Sequence, residues 1–276
     1  WQTYLERRAS TLHFLQCKLS LQLLEEYQKR LELLRKCYYY LEVLPTHVVQ
    51  RDQNHLSTPT SIFQIMDPWK FQRVKRQGRT QVEIQLQLLT ELLEQLQRGR
   101  QELACYMETC DVATFLSKWD LIMQRQSDLS GMMTSFVSLQ EKRQLHTRDH
   151  LVPCTVVRGA KAPNISLFLS RKMPVMFDRT ESVAHENWAN LRWFTEDQES
   201  HPERYELHFR LLKNGTQQAL GHCGLVAVTS NTCAVCGLLP DRSYEFMIRR
   251  VETYTLVYEP WHDTIILKTK ADAAEG

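Results

Sequence analysis

The chain has 276 residues, 43% of them hydrophobic and 24% charged, with a formal net charge of +2. That is the composition of an ordinary globular protein long enough for two domains. Residues 1–150 hold 20 Lys and Arg against 17 Asp and Glu, and the remainder holds 14 against 15, so neither half is a polyelectrolyte suited to wholesale nucleic-acid binding.

Gly is only 9 of 276, well below the roughly 7% average. No Gly-x-Gly-x-x-Gly or P-loop pattern brings backbone against a phosphate, which weighs against a nucleotide enzyme. No apolar run approaches the roughly 18 residues of a transmembrane span, so no membrane partner is expected. Eight cysteines stand at 17, 37, 105, 110, 154, 223, 233 and 236. Four of them lie in helical sequence without partner spacing, and the cysteines read as free thiols of a reducing compartment.

Residues 1–146 read as helix almost throughout. Leu5, Leu12, Leu15 and Leu19 form one apolar stripe. Leu24, Tyr27, Leu31, Leu34, Tyr38 and Leu41 form another, at alternating steps of three and four. The step from Leu19 to Leu24 breaks phase, and Ser20 can start a new helix there. Pro45 ends the segment, and residues 46–60 look like a loop. Asp67-Pro68 supplies an N-cap followed by Pro at the first helical position. Gly78 is expected to interrupt or bend the helix that follows. Val82, Leu86, Leu89, Leu93, Leu96, Leu103 and Met107 keep a seam spacing. Asp111 can cap the next helix, lined by Val112, Phe115, Trp119, Ile122, Leu129, Met132, Phe136 and Leu139. Four or five amphipathic helices result. They bury their stripes as a bundle over 1–146 or lie as extended hairpins on a partner.

Residues 147–171 change to β-type composition with Pro153, Gly159 and Pro163, and read as a linker with a strand at 165–169. Seven short strand-like runs follow, at 174–177, 191–194, 205–212, 225–228, 233–238, 244–251 and 264–269. Asn214-Gly215 is a hairpin signal after the third. Pro240 and Asp241 make a turn, and Tyr244, Phe246 and Ile248 then alternate on one strand face. A Tyr at that place is a tyrosine corner, its hydroxyl bonding back to the turn near 239–242. Number and spacing of runs argue for a β-sandwich over 172–270, with a tail at 271–276. The fold class is α+β and multidomain, a helical bundle followed by an immunoglobulin-like sandwich.

Trp193 on an early strand, Tyr205 opening the next, and Leu239-Pro240-Asp241-Arg242-Ser243-Tyr244 together resemble a fibronectin type III domain. Leu34-Arg35-Lys36-Cys37, Glu42-Val43-Leu44-Pro45, Asp67-Pro68-Trp69-Lys70-Phe71, Leu191-Arg192-Trp193-Phe194 and Thr255-Leu256-Val257-Tyr258-Glu259-Pro260-Trp261 lie in both halves. Over nearly the whole chain they are similar to the fibronectin type III domain-containing protein 11 family. That resemblance implies an intracellular, non-enzymatic protein without catalytic residues or cofactor. By analogy it implies a setting in cilia or sperm flagella, where small adaptors decorate axonemal microtubules, with tubulin and axonemal proteins as partners. The alternative is a soluble signalling or trafficking scaffold unrelated to microtubules. The chain holds no Arg-Gly-Asp, so adhesion of the fibronectin kind loses support.

No Gly-x-Ser-x-Gly occurs, and His185-Glu186 lacks the second His of a zincin. His222, Cys223, Cys233 and Cys236 are the one metal-like cluster. Residues three apart on a strand point to opposite faces, however, and Ala234-Val235 is poor turn chemistry, so edge or buried thiols and no metal are expected. Two interaction patches remain. Residues 70–79 carry Lys70, Arg73, Lys75, Arg76 and Arg79 with no acid, beside Trp69 and Phe71. This is a solvated helix face or a docking patch for an acidic protein surface, with Trp69 and Phe71 as interface residues or as bundle core. Tyr254, Tyr258 and Trp261 crowd one loop, as interface anchors or, for Trp261, as a cap on the sandwich core.

Overall fold

The computed structural model describes residues 1–50, 58–153, 163–196, 203–212, 222–259 and 261–271. The chain divides into two compact units, Trp1–Arg35 with Tyr40–Ser170, and Lys36–Tyr39 with Arg171–Gly276.

In the first unit, α1 (Gln2–His13) runs into a π-helical turn at Phe14–Lys18. Leu19 leaves helical geometry at φ −112°, ψ 60°. Ser20 then accepts from the Leu23 N–H at 3.1 Å and opens α2 (Leu21–Lys36). The break frees helical carbonyls, and Arg100 satisfies them, donating to Leu19 O at 2.8 Å and Leu15 O at 3.2 Å. The α2 stripe does not continue through Tyr38 and Leu41. The helix ends at Lys36, and β1 (Tyr38–Leu44) takes over. Tyr38-Tyr39-Tyr40 is aromatic, strand-favouring sequence, and residues 38–41 are all buried, which suits a strand covered on both faces better than one helical stripe.

The stretch expected as loop holds β2 (His47–Gln50) and β3 (Thr58–Ser61), an antiparallel pair. One turn of helix, α3 (Ile62–Ile65), follows. Asp67 caps α4 (Pro68–Thr109), its Oδ1 accepting from the Trp69 and Lys70 N–H groups at 2.9 and 3.3 Å. Gly78 does not interrupt the helix: α4 is one helix of 42 residues in which Gly78 is buried. Asp111 caps α5 (Val112–Ser117) through the Thr114 N–H at 2.7 Å, and α6 (Trp119–Ser138) follows.

These helices form a bundle. Along α4 the side chains of Val82, Leu86, Leu89, Leu93, Leu96, Leu103 and Met107 are buried as the seam requires. A Cβ on Gly99 would lie 2.3 Å from Leu129 Cδ2, so glycine is what lets α6 approach α4 there. Tyr27 of α2 stacks on Phe136 of α6 with centroids 4.3 Å apart. Gln126 reaches the buried Thr11 hydroxyl at 3.1 Å, so this buried polar pair is satisfied. The last segment of the unit is also strand: β4 (Arg143–Leu145) pairs antiparallel with β5 (Ser166–Lys172). Of the linker expected at 147–171, residues 154–162 lie outside the described residues, and the strand expected at 165–169 is found as β5.

The second unit is a two-sheet sandwich. One sheet has β8 (Trp188–Phe194) in the middle, paired with β11 (Thr232–Cys236) and with the short β6 (Met176–Phe177) and β7 (Val183–Ala184). The other has the order β10 (Cys223–Val228), β9 (Tyr205–Leu211), β12 (Ser243–Arg250), β14 (Asp263–Lys268), all antiparallel, with the short β13 (Leu256–Tyr258) between β12 and β14 in sequence. Residues 213–221, with the Asn214-Gly215 hairpin signal, lie outside the described residues, but β9 and β10 on either side do pair. Between the sheets lie Ala189, Leu191 and Trp193 from β8, Val235, Leu207, and Tyr244, Phe246 and Ile248 from β12, all buried. Trp193 meets Phe177 and Tyr205 edge to face.

The corner behaves as its sequence predicts. Asp241 takes φ 52°, a left-handed geometry that Asp tolerates. The Leu239 N–H donates to the Tyr244 hydroxyl at 2.9 Å. Tyr244→Phe is expected to lower stability by about 0.5–1.5 kcal/mol through that one bond. Urea unfolding of the two proteins measures it, and an unchanged midpoint would remove the corner's role.

Candidate interaction surfaces

At the start of α4 the cap fixes where the first turns point. Trp69, Arg73 and Arg76 follow one another at four and three residues, hence on one helix face. Trp69 is 82% exposed, an extreme value for an indole. The cations predicted as a patch are not equally available. Lys70 donates to His150 O at 3.0 Å, and Arg73 binds both oxygens of Asp149 at 3.3 Å. Gln77 donates to His146 O at 2.9 Å, so one row of this helix holds the 146–150 segment of its own unit. Arg79 pairs with Glu83 one turn on. Lys75 is half-buried, whereas Arg76 is exposed and takes no ion pair from the described residues. Phe71, by contrast, is core, fully buried and edge-to-face with Phe63. What the helix offers outward is therefore Trp69 with Arg76, flanked by a partly neutralised Arg73.

The 254–261 loop belongs to the second unit and is built differently. Tyr254 is 47% exposed. Tyr258 packs edge to face on Tyr39, with centroids 5.8 Å apart. Trp261 is half-buried, with the Lys36 ammonium 4.7 Å above its ring. Tyr258 and Trp261 thus hold the short 36–39 stretch in place, and of the three aromatics Tyr254 is the most exposed.

Beneath them lies a polar cluster that the sequence did not reveal. Tyr38 is buried, its hydroxyl accepting from the Arg250 N–H at 3.4 Å and lying 3.4 Å from His262 Nδ1. Burial pushes the phenol up to about 12. Glu259 stands 3.3 Å from the same nitrogen. Desolvation raises the Glu259 carboxyl and lowers the His262 imidazole, so each leans toward its neutral form. Arg250 is 5% exposed at the inward end of β12 and pairs with Glu203. The signal was in the pattern: Arg250 continues the inward series of Tyr244, Phe246 and Ile248. These groups are engaged with one another.

Elsewhere, a groove of about 510 Å³ between α2 and α4 is lined by Leu21, Leu24, Gln28, Gln97 and Arg100 among others. Among the described residues no three His, Cys, Asp or Glu side chains are placed to hold a metal ion. Cys223 is exposed on β10, and Cys233 and Cys236 sit on β11 in the other sheet. No helix among the described residues is long and apolar enough to cross a membrane.

A helical region followed by a sandwich with this strand order and a tyrosine corner defines a fibronectin type III domain protein. Residues 1–167 match the N-terminal domain, and residues 172–276 the Fn3-like domain, of the family of unknown function DUF5581. All 276 residues align at 48% identity with fibronectin type III domain-containing protein 11 of Bos taurus, covering 82% of it. Against the Homo sapiens protein of the same name the identity is 49%, covering 86% of that protein. The chain belongs to this family. Among solved structures, the FN5 domain of Drosophila Lar matches 36% of the chain and 99% of its own length at 17% identity and a TM-score of 0.26. The fn3 domain of human contactin 1 matches 35% of the chain and 80% of its own at 20% identity and 0.27.

Proposed function

We propose that the protein is a non-enzymatic adaptor that joins other proteins through its surfaces, set on ciliary or sperm-flagellar axonemal microtubules. The observation that carries the reading is Trp69, 82% exposed on the same helix face as the exposed Arg76. A large indole left in water beside a cation has the character of an interface anchor for an acidic protein surface. Tubulin presents such a surface. Tyr254 is a second exposed aromatic, on the other unit. The family's fibronectin type III fold supports binding rather than catalysis, in that such a fold supplies no reaction centre by itself.

Co-sedimentation of the purified chain with microtubules across a salt series tests this. Exposed charges are screened beyond roughly 8–10 Å at physiological salt, so the pelleted fraction should fall as salt rises. Trp69→Ala with Arg76→Glu should reduce it further and leave the unfolding midpoint unchanged. Arg73→Glu is a poorer probe, because it would face Asp149. Salt-independent pelleting, or a variant that pellets like wild type, would overturn the docking face. A chain that does not bind microtubules at all would favour the soluble signalling or trafficking scaffold.

A further inference from the structure

Residues 214–240 contain no Asp, Glu, Lys or Arg, in a chain where those four make up 24%. Both β10 and β11 come from this stretch, and both are edge strands, β10 bonded to β9 and β11 to β8. Edge strands carry a row of unpaired N–H and C=O groups, and monomeric proteins blunt them with charge, proline or a covering side chain. The opposite edge is treated in that way: Arg179 donates to Thr264 O of β14 at 3.2 Å, and Asp263 takes the Phe177 N–H at 2.7 Å. Among the described residues, the β10 edge is not. Its six residues, Cys-Gly-Leu-Val-Ala-Val, include neither charge nor proline, and Leu225 is 56% exposed.

The register says which groups point outward. The Leu211 N–H donates to His222 O at 2.8 Å, so in the β9–β10 ladder residues 222, 224, 226 and 228 turn their backbone polar groups toward β9. Cys223, Leu225 and Ala227 turn theirs away from β9, to the side where no strand among the described residues pairs with β10. Their side chains share the outer face of the sheet, in line with Arg210, His208 and Glu206 of β9. The inner face at this edge is already closed, because the Phe209 ring covers Gly224, where a Cβ would lie 2.5 Å away.

We propose that β10 is a self-association edge, on which a second copy of this chain pairs its own β10 antiparallel about a two-fold axis through residue 225. Matching side-chain faces requires an odd-numbered residue opposite an odd-numbered one. In this register Leu225 faces Leu225 of the second copy, Cys223 faces Ala227, and Gly224 faces Val226. Every outward backbone group of residues 223, 225 and 227 then finds a partner. Two apolar Leu side chains meet on the axis. A second copy is the occupant that the composition fits, since it brings an uncharged edge to an uncharged edge. No ion is desolvated and no like charges are opposed. The assembly is isologous and closes at two.

Sedimentation of the full chain tests this. Wild type should form a reversible species of twice the 32.6 kDa chain mass. Leu225→Lys and Leu225→Glu should each lose it while unfolding at the midpoint of dilute, monomeric wild type, because residue 225 is exposed in the single chain. Mixing the two variants should restore a dimer, since the ammonium and carboxylate then face each other on the axis. Should either variant fail to fold, Cys223→Lys alone should abolish the dimer, and Cys223→Lys with Ala227→Glu in the same chain should restore it. A wild type that stays monomeric at every loading concentration overturns the proposal. So does a dimer indifferent to Leu225→Lys, or a mixture of Lys and Glu variants that remains monomeric.

Discussion

Replacing Glu203 with Ala is expected to destabilise the sandwich unit by about 3–5 kcal/mol, the range for a buried ion pair broken from one side. The guanidinium of Arg250 is enclosed: it pairs with Glu203, donates to Met173 O at 2.9 Å and lies 5.7 Å from the centre of the Tyr38 ring. Glu203 in turn receives the Lys172 ammonium at 2.9 Å and the Tyr205 hydroxyl at 3.2 Å. Only 14% of its side chain is exposed, against 6% for Arg250. Truncation would leave a cation desolvated without its carboxylate, which is the costly half of the pair. Glu203→Gln keeps the shape and an acceptor and should lose less. Glu203→Ala combined with Arg250→Met removes the stranded charge and should recover part of the loss, a non-additivity a double-mutant cycle reads directly. The urea midpoint of the sandwich transition is the measurement. An unchanged midpoint for Glu203→Ala would mean that water reaches Arg250.

What the sequence disclosed was what is local. The cap at Asp67-Pro68, the cap at Asp111, the break at Leu19-Ser20 and the tyrosine corner each need partners within five residues, and each is found in place. The long α4 seam was legible for the same reason, since its period is written in adjacent turns. The misreading of Tyr38 and Leu41 as helix shows the limit. A run of buried residues satisfies a three-four spacing and a strand equally well, and only tertiary burial on every side decides. Arg250 was overlooked because its partners Tyr38, Met173 and Glu203 lie 47 to 212 residues away. The candidate surface was half legible. The run of cations at 70–79 was visible, but that Lys70, Arg73 and Gln77 bind residues 146–150 depends on where a distant segment lies.

The membership of residues 36–39 in the second unit changes what the sandwich is. The family's Fn3-like match begins at residue 172, yet Tyr38 supplies the hydroxyl that accepts the Arg250 N–H, and Tyr39 packs on Tyr258. Four residues far upstream therefore close over the end of the β12 series. Burial of the Arg250 charge depends on them, because Tyr38 brings both its ring face and its hydroxyl to that residue. A sandwich read as a self-contained module in sequence is completed by the chain that precedes the long helices.

Asp263→Ala is expected to cost about 3 kcal/mol, because one carboxylate ties the two sheets at the first residue of β14. Its Oδ2 accepts the Phe177 N–H of β6 at 2.7 Å, and its two oxygens take Arg179 in a forked pair at 2.8 and 3.1 Å. Asp263 itself is 4% exposed, whereas the Arg179 side chain is 55% exposed. The arginine half of the pair is thus solvated and contributes modestly. The larger loss is the buried amide of Phe177, left without an acceptor at about 1–3 kcal/mol, together with a bond to an ionised group worth about 1.5–3 kcal/mol. Arg179→Ala should accordingly cost clearly less than Asp263→Ala. Asp263→Asn, which keeps one oxygen for Phe177, should fall between them. Urea unfolding of the three variants gives the order. If Arg179→Ala matched or exceeded Asp263→Ala, the tie would be carried by the surface ion pair and not by the amide of β6.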